Sequence, residues 1–173
     1  MRRERTLERK DLISVQLDHA TMEDIPELTR VMTLAFDDDS QKHLGKPKGG
    51  PPGYDNGDFF RKWMPYKESV TYKIVAEGKT MGGIIVWIYK HGRNVLGTIF
   101  VDPDYQDQGI GTRAWSLIEE TYPDTKSWTL GTPSWAAKNH YFYEKNGFKK
   151  IREEPVEDIP GGVSFIYSKV MDS

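Results

Sequence analysis

The sequence predicts one α/β domain with a mixed, mostly antiparallel sheet of about six to seven strands flanked by about four helices. Three observations predict it. Three β-branched and aromatic runs between residues 70 and 101 are separated by short turns, strand-like runs recur near both ends of the chain, and segments of helical periodicity lie between them. At 173 residues the chain suits a single well-buried core and is short for two ordinary domains of about 100–150 residues.

The charged start, MRRERTLERKDL, reads as a polar extension over residues 1–12, with the domain proper over 13–173. It lacks an apolar segment, so neither a secretory signal nor a membrane anchor is expected there. Ile13 to Leu17 alternates apolar and polar side chains, the period of a half-buried strand. Thr21 precedes an acidic turn with Pro26, and Ile25, Leu28, Val31, Met32 and Ala35 recur at helical spacing, so a capped amphipathic helix is expected to end near Phe36. Residues 37–57 cluster Gly and Pro and read as a long loop, and Asp58 to Glu68 reads as a short helix.

Val70 to Ala76, Gly82 to Tyr89 and Val95 to Val101 form an antiparallel meander, turning at Glu77-Gly78-Lys79 and His91-Gly92-Arg93. Ile110 to Tyr122 is helical and stops at Pro123. Trp128 to Leu130 is a short strand, and Trp135 to Lys145 a helix closed by Asn146-Gly147. Phe148 to Ile151 and Val163 to Val170 form a terminal strand pair.

Composition narrows the function. Charged residues at 29% and hydrophobic ones at 37% describe a chain that folds in water. A formal net charge of −2 with no dense Lys/Arg run argues against a nucleic-acid partner. No run approaches the ~20 apolar residues of a spanning helix, so no membrane partner and a cytoplasmic location are expected. With no cysteine, disulfides, thiolate metal sites and a cysteine nucleophile are excluded, and no metal site is predicted.

The chemistry concentrates in Val101-Asp-Pro-Asp-Tyr-Gln-Asp-Gln-Gly-Ile-Gly-Thr112, between a strand and a helix. The first amides of a helix have no intrahelical partner and carry partial positive charge, and Gly109 and Gly111 would let a phosphate approach them. The same glycines could also simply shape a tight strand-to-helix connection. Gly109-Ile-Gly-Thr-Arg-Ala114 fits the dinucleotide pattern, but the glycines do not follow the strand directly, and no carboxylate stands in Thr129 to Pro133 about 20 residues on. No Gly-Lys-Ser/Thr follows, so a P-loop fails as well.

Gln106-Asp-Gln-Gly109-Ile-Gly111 resembles the Q/RxxGxG/A motif of the GNAT acetyltransferases, which follows a strand ending in Val-x-Pro. Asn139-His-Tyr-Phe-Tyr143-Glu-Lys-Asn-Gly-Phe148 is similar to that family's later helix, which carries Tyr and ends in Gly-Phe. The resemblance implies a GNAT-like fold and transfer of an acetyl group from acetyl-CoA, as co-substrate, to a primary amine by direct attack. It implies that the amides of Gln108, Gly109, Ile110, Gly111 and Thr112 hold the pyrophosphate, with Gln106 and Asp107 also among the cofactor-binding residues. Backbone at Phe100 and Val101 would pair with the pantetheine arm, Asn139 would contact pantetheine, and Tyr143 would donate a proton or hydrogen bond to the CoA sulfur. Ala136 stands where many members carry Asn.

Several members place a Glu on the strand before the loop as general base, and Asn94 to Ile99 contains no carboxylate. The remaining candidates are a water chain, Asp37, Asp38, Asp39, Asp55, Asp58, Asp102, His91 and His140. The acceptor, a small-molecule or peptide amine, is expected between the 37–57 loop and the middle strands, where Trp63, Tyr66, Tyr72, Trp87 and Tyr89 could line a cleft or belong to the core. Two other readings stay open, a silent acyl-CoA-binding module and a nucleotide-binding oxidoreductase module, and a homodimer is an open assembly.

Overall fold

The computed structural model describes residues 13–157 and 159–172, and the polar extension expected over 1–12 lies outside them. In chain order the elements are β1 (Val15–His19), α1 (Ile25–Leu44), α2 (Asp58–Trp63), β2 (Ser69–Ala76), β3 (Lys79–Trp87), β4 (Arg93–Val101), α3 (Ile110–Thr121), β5 (Ser127–Pro133), α4 (Ala137–Lys145), β6 (Lys149–Pro155) and β7 (Val163–Val170). Among the described residues the strands make one sheet in the order β1-β2-β3-β4-β5-β7-β6.

Every neighbouring pair is antiparallel except β4 and β5, which run parallel and are joined through α3. Only Arg93 to Val95 of β4 pair with Ser127 to Thr129 of β5. Beyond Val95 the two strands part, leaving a wedge in the sheet. Asn94 sits at the fork, buried, and both ends of its amide are engaged: Oδ1 accepts from the Tyr89 N–H at 2.8 Å and Nδ2 donates to Thr125 Oγ1 at 2.9 Å.

Alternation along β3 covers both faces of the sheet. Ile84 and Val86 pack into one core with Trp115 and Ile118 of α3 and Trp128 of β5, while Ile85 packs into the other with Leu28 and Met32 of α1 and Phe60 of α2. A strand buried on both sides reads as a continuous apolar run, which is how Gly82 to Tyr89 appears in the sequence.

The main departure from expectation is α1. It does not end near Phe36 but continues through Asp37, Asp38 and Asp39 to Leu44, so the connecting loop is 45–57. The added turns hold through tertiary contacts. Ser40 is buried and its hydroxyl donates to the Lys48 carbonyl at 3.1 Å, Lys42 pairs with Asp38 one turn back at 2.9 Å, and Gly45 ends the helix in the left-handed region at φ 66°. Helix α2 stops at Trp63 rather than Glu68, α4 starts at Ala137 rather than Trp135, and β5 runs to Pro133 rather than Leu130.

Candidate active site

A cavity of about 390 Å³ opens where β4, the turn ahead of α3, α4 and the second half of α1 meet, a size that suits a small-molecule cleft of ~300–1,000 Å³. The end of β4 presents backbone to it. The Asp102 N–H donates to the Met81 carbonyl on the β3 side at 2.7 Å, so the planar trans peptide aims the Val101 C=O the other way. The Phe100 carbonyl faces β3 so closely that a Cβ on Gly82 would lie 2.0 Å from it, and the Val101 N–H is therefore also turned away from β3. Both polar groups of Val101 thus face the wedge that β5 has vacated. An extended arm could pair there as a further strand would.

The turn leading to α3 is held by the Asp102 carboxylate, which accepts from the Asp104 N–H at 3.0 Å. Asp107 and Gly109 then adopt left-handed backbone at φ 62° and 78°. Gly109 is the N-cap of α3, and a Cβ built on it meets nothing within 4 Å. The N–H groups of Ile110, Gly111 and Thr112 have no intrahelical acceptor, so the positive end of a 12-residue helix opens on the cavity. Gly111 does a different job: a Cβ there would come 3.1 Å from Phe142 Cε2, so this glycine lets α3 and α4 approach. The Gln106 amide acts as a strut, donating to the Val101 carbonyl at 3.1 Å and accepting from the Lys138 ammonium.

Helix α4 turns Lys138, Tyr141, Phe142 and Lys145 toward the cavity, the i, i+3, i+4, i+7 stripe of one helical face. Asn139 also lines it and donates to Thr132 Oγ1 at 3.4 Å. Tyr143 is buried, its ring against Phe148 and Tyr167. Burial, then the negative charge of Asp39, pushes its phenol well above the ordinary range, so the hydroxyl stays protonated and can only donate to an anion.

Residues 68–150 match the family described as "Acetyltransferase (GNAT) domain". A Bacillus subtilis relative, uncharacterized protein YrkN, is 35% identical over 136 residues, which are 78% of this chain and 72% of that one. The chain belongs to the GNAT acetyltransferase family. Its fold is shared with the ribosomal-protein-S18-alanine N-acetyltransferase of Escherichia coli, at TM-score 0.72 and 17% identity over 92% of this chain and 96% of that one. A Bacillus anthracis protein solved in complex with acetyl coenzyme A superposes at TM-score 0.66 and 12% identity over 92% and 100%.

Of the residues the GNAT motifs single out, Phe100, Val101, Gln106 and Asp107 line the cavity, as do Gly109 to Thr112, Asn139 and Tyr143. Gln108 is exposed outside it. Lys138 and the aromatic pair Tyr141 and Phe142 were missed in the sequence, although their helical stripe was there to be counted. The aromatics expected at the acceptor cleft lie elsewhere. Trp63 packs on Trp87 and Tyr66, the Tyr72 hydroxyl meets that of Tyr122 at 2.5 Å, and Tyr89 stacks on His91. Phe36 and Tyr105 line the cavity instead.

A GNAT acetyltransferase that accepts ammonium substrates needs a proton acceptor, and most of the titratable candidates are committed to other work. Asp37 accepts from the Tyr54 hydroxyl at 2.5 Å and the Gly49 N–H at 3.2 Å, tying the 45–57 loop to α1. Asp38 pairs with Lys42 and Asp58 with Arg61, each at 2.9 Å, Asp102 holds its turn, and Asp55 is exposed. His91 is exposed and accepts from the Arg93 N–H at 3.0 Å, and His140 donates to the Pro133 carbonyl at 2.9 Å while stacked on Phe165. Asp39 lines the cavity, and its Oδ1 is buried without a hydrogen-bond partner. Burial raises its pKa despite the nearby Lys138 and His43 charges.

Proposed function

We propose that the protein is an N-acetyltransferase that moves the acetyl group of acetyl-CoA to a primary amine of a small molecule or peptide by direct attack. One observation carries the reading: the free amides at the start of α3, the outward N–H and C=O of Val101, and Tyr143 border a single cavity. In a chain of the GNAT family these would serve as an anion site, a strand edge whose N–H faces the wedge and whose carbonyl already accepts from Gln106, and a proton-holding hydroxyl. The fold shared with a Bacillus anthracis protein solved in complex with acetyl coenzyme A, and with the Escherichia coli ribosomal-protein-S18-alanine N-acetyltransferase, supports it.

The residues fit the co-substrate. The space above Gly109 admits a phosphate to the amides of Ile110, Gly111 and Thr112, and the Lys138 ammonium adds a countercharge. The Val101 edge would hold the pantetheine arm, and its N–H can stabilise negative charge on the acetyl oxygen. Bound acetyl-CoA supplies the thioester. Tyr143 would hydrogen-bond the departing sulfur, and its raised pKa keeps that donor in place.

Titration calorimetry with acetyl-CoA, NAD and ATP, followed by thiol release with spermidine, glucosamine and an alanyl dipeptide, tests the proposal. The expected result is acetyl-CoA binding, weak or absent binding of the other two, and thiol release dependent on at least one amine. Acetyl-CoA binding without release for any amine would make the chain a binding module. Tight NAD or ATP binding with no response to acetyl-CoA would remove the cofactor assignment.

A further inference from the structure

An alkylammonium of pKa near 10.4 leaves only about one amine in 10³ free to attack at neutral pH. Strand β4 carries no carboxylate to take the proton. We propose that Asp39 accepts this proton directly from the acceptor amine, a role that rests on reading the cavity as an acetyl-transfer site. Helix α1 places Asp39 with Ala35 and Phe36 on the wall of the cavity that Val101 and Tyr143 also line. Asp37 is spent on the loop, and Asp38 Oδ2, also without a hydrogen bond, has the Lys42 ammonium at 2.9 Å, whereas Asp39 Oδ1 is enclosed with neither a hydrogen bond nor an ion-pair partner. A buried carboxylate oxygen without a donor is costly unless a ligand supplies one. An ammonium is such a ligand. Asp107, the other carboxylate on the wall, is exposed on the turn that presents the phosphate-binding amides.

The charges around Asp39 suit the task. Along α1 it faces Asp38, Lys42 and His43, and from α4 Lys138 and Tyr143. The three basic groups favour the carboxylate, but burial outweighs them and the pKa is raised, which narrows the gap to the ammonium. Asp39 takes one proton from the ammonium and becomes the acid. The nitrogen lone pair then forms the C–N bond at the acetyl carbon, and the C–S bond breaks with its electron pair on sulfur. The second nitrogen proton goes to that thiolate, hydrogen-bonded by Tyr143. Asp39 then returns its proton to solvent. The sum is one ammonium and one thioester converted to one amide, one thiol and one released proton.

Asp39→Asn and Asp39→Glu, assayed from pH 6 to 10 with spermidine and an alanyl dipeptide, test the role. For Asp39→Asn the expected kcat/KM at pH 7 falls about 10²-fold or more with spermidine, while acetyl-CoA affinity by calorimetry stays within about twofold. The deficit should shrink about tenfold per pH unit as the ammonium loses its proton to solvent unaided. It should be smaller for the dipeptide, whose α-amino group titrates near 7.7–8.0. Asp39→Glu should recover part of the rate. A second readout needs no turnover: carboxyl NMR of the wild-type protein should place Asp39 above the ordinary ~3.9, and a value at or below it overturns the proposal. An active wild type with an Asp39→Asn variant of equal rate and pH profile sinks the role of Asp39 alone. A wild type that acetylates neither amine sinks the acetyltransferase reading, and this role with it.

Discussion

Tyr143 packs its ring on Phe148 and Tyr167 and also lines the cavity, so it belongs to the core and, in the proposed reaction, would serve the chemistry as well. Its pKa lies above the ordinary phenol value, so the protonated form persists through that range, and ionisation of Tyr143 contributes no alkaline loss of activity near pH 10. The same shift makes it a poorer proton donor to a thiolate of pKa about 8.5, so in the proposed mechanism hydrogen bonding to the sulfur would be its main contribution. Tyr143→Phe keeps the packing and removes only the hydroxyl. Turnover should fall roughly 10²–10³-fold, toward the lower half of what one positioned acid supplies, with acetyl-CoA affinity and melting temperature nearly unchanged. Steady-state kinetics at a pH where chemistry limits the rate decides it, and an equally fast Phe variant would take Tyr143 out of the mechanism.

Among the elements, the turn between β4 and α3 was readable because its signals are local: a β-branched strand, a Pro, two glycines and then a helical stripe. What the spacing left undivided was the work of the glycines. Gly109 needs its left-handed φ of 78° and has open space above it, while Gly111 is pressed toward Phe142. Gly109→Ala should therefore destabilise the fold by about 1–2 kcal/mol, the typical cost of a left-handed residue with a Cβ. It should also weaken acetyl-CoA binding at least tenfold, because the methyl enters the phosphate space. If calorimetry shows full affinity in the remaining folded protein, Gly109 only shapes the turn. The last two turns of α1 were not readable, since a run of Asp and Ser favours turns over helix interior. Their hold comes from Lys48, Gly49 and Tyr54, partners 8 to 17 residues away. Asp39 was hidden for the same reason: as one of three loop aspartates it has no direction, and on a continuing helix it shares a face with Ala35 and Phe36.

At the scale of the whole molecule, the alternation of strands and helices was enough for the fold, but the wedge in the sheet was not foreseeable from it. A strand's sequence tells which side chains are buried and says little about where its neighbour departs. Because β4 and β5 pair over only three residues each, the β1–β4 half with α1 and α2 meets the β5–β7 half with α4 across a partly open seam. Acetyl-CoA would touch both sides of it, at Val101 and at α4. A ligand that needs the assembled seam binds the folded chain and not the unfolded one, so it must raise the melting temperature. At a hundred times its dissociation constant the stabilisation is about 2.7 kcal/mol, and for a domain of this size each kcal/mol moves the transition by roughly 2–4 °C. Acetyl-CoA should then shift melting by about 5–11 °C. ADP at the same concentration, which offers a pyrophosphate but no pantetheine arm to span the seam, should shift it far less. Differential scanning calorimetry separates the two, and equal shifts for ADP and acetyl-CoA would mean that the wedge beside Val101 takes no part in binding.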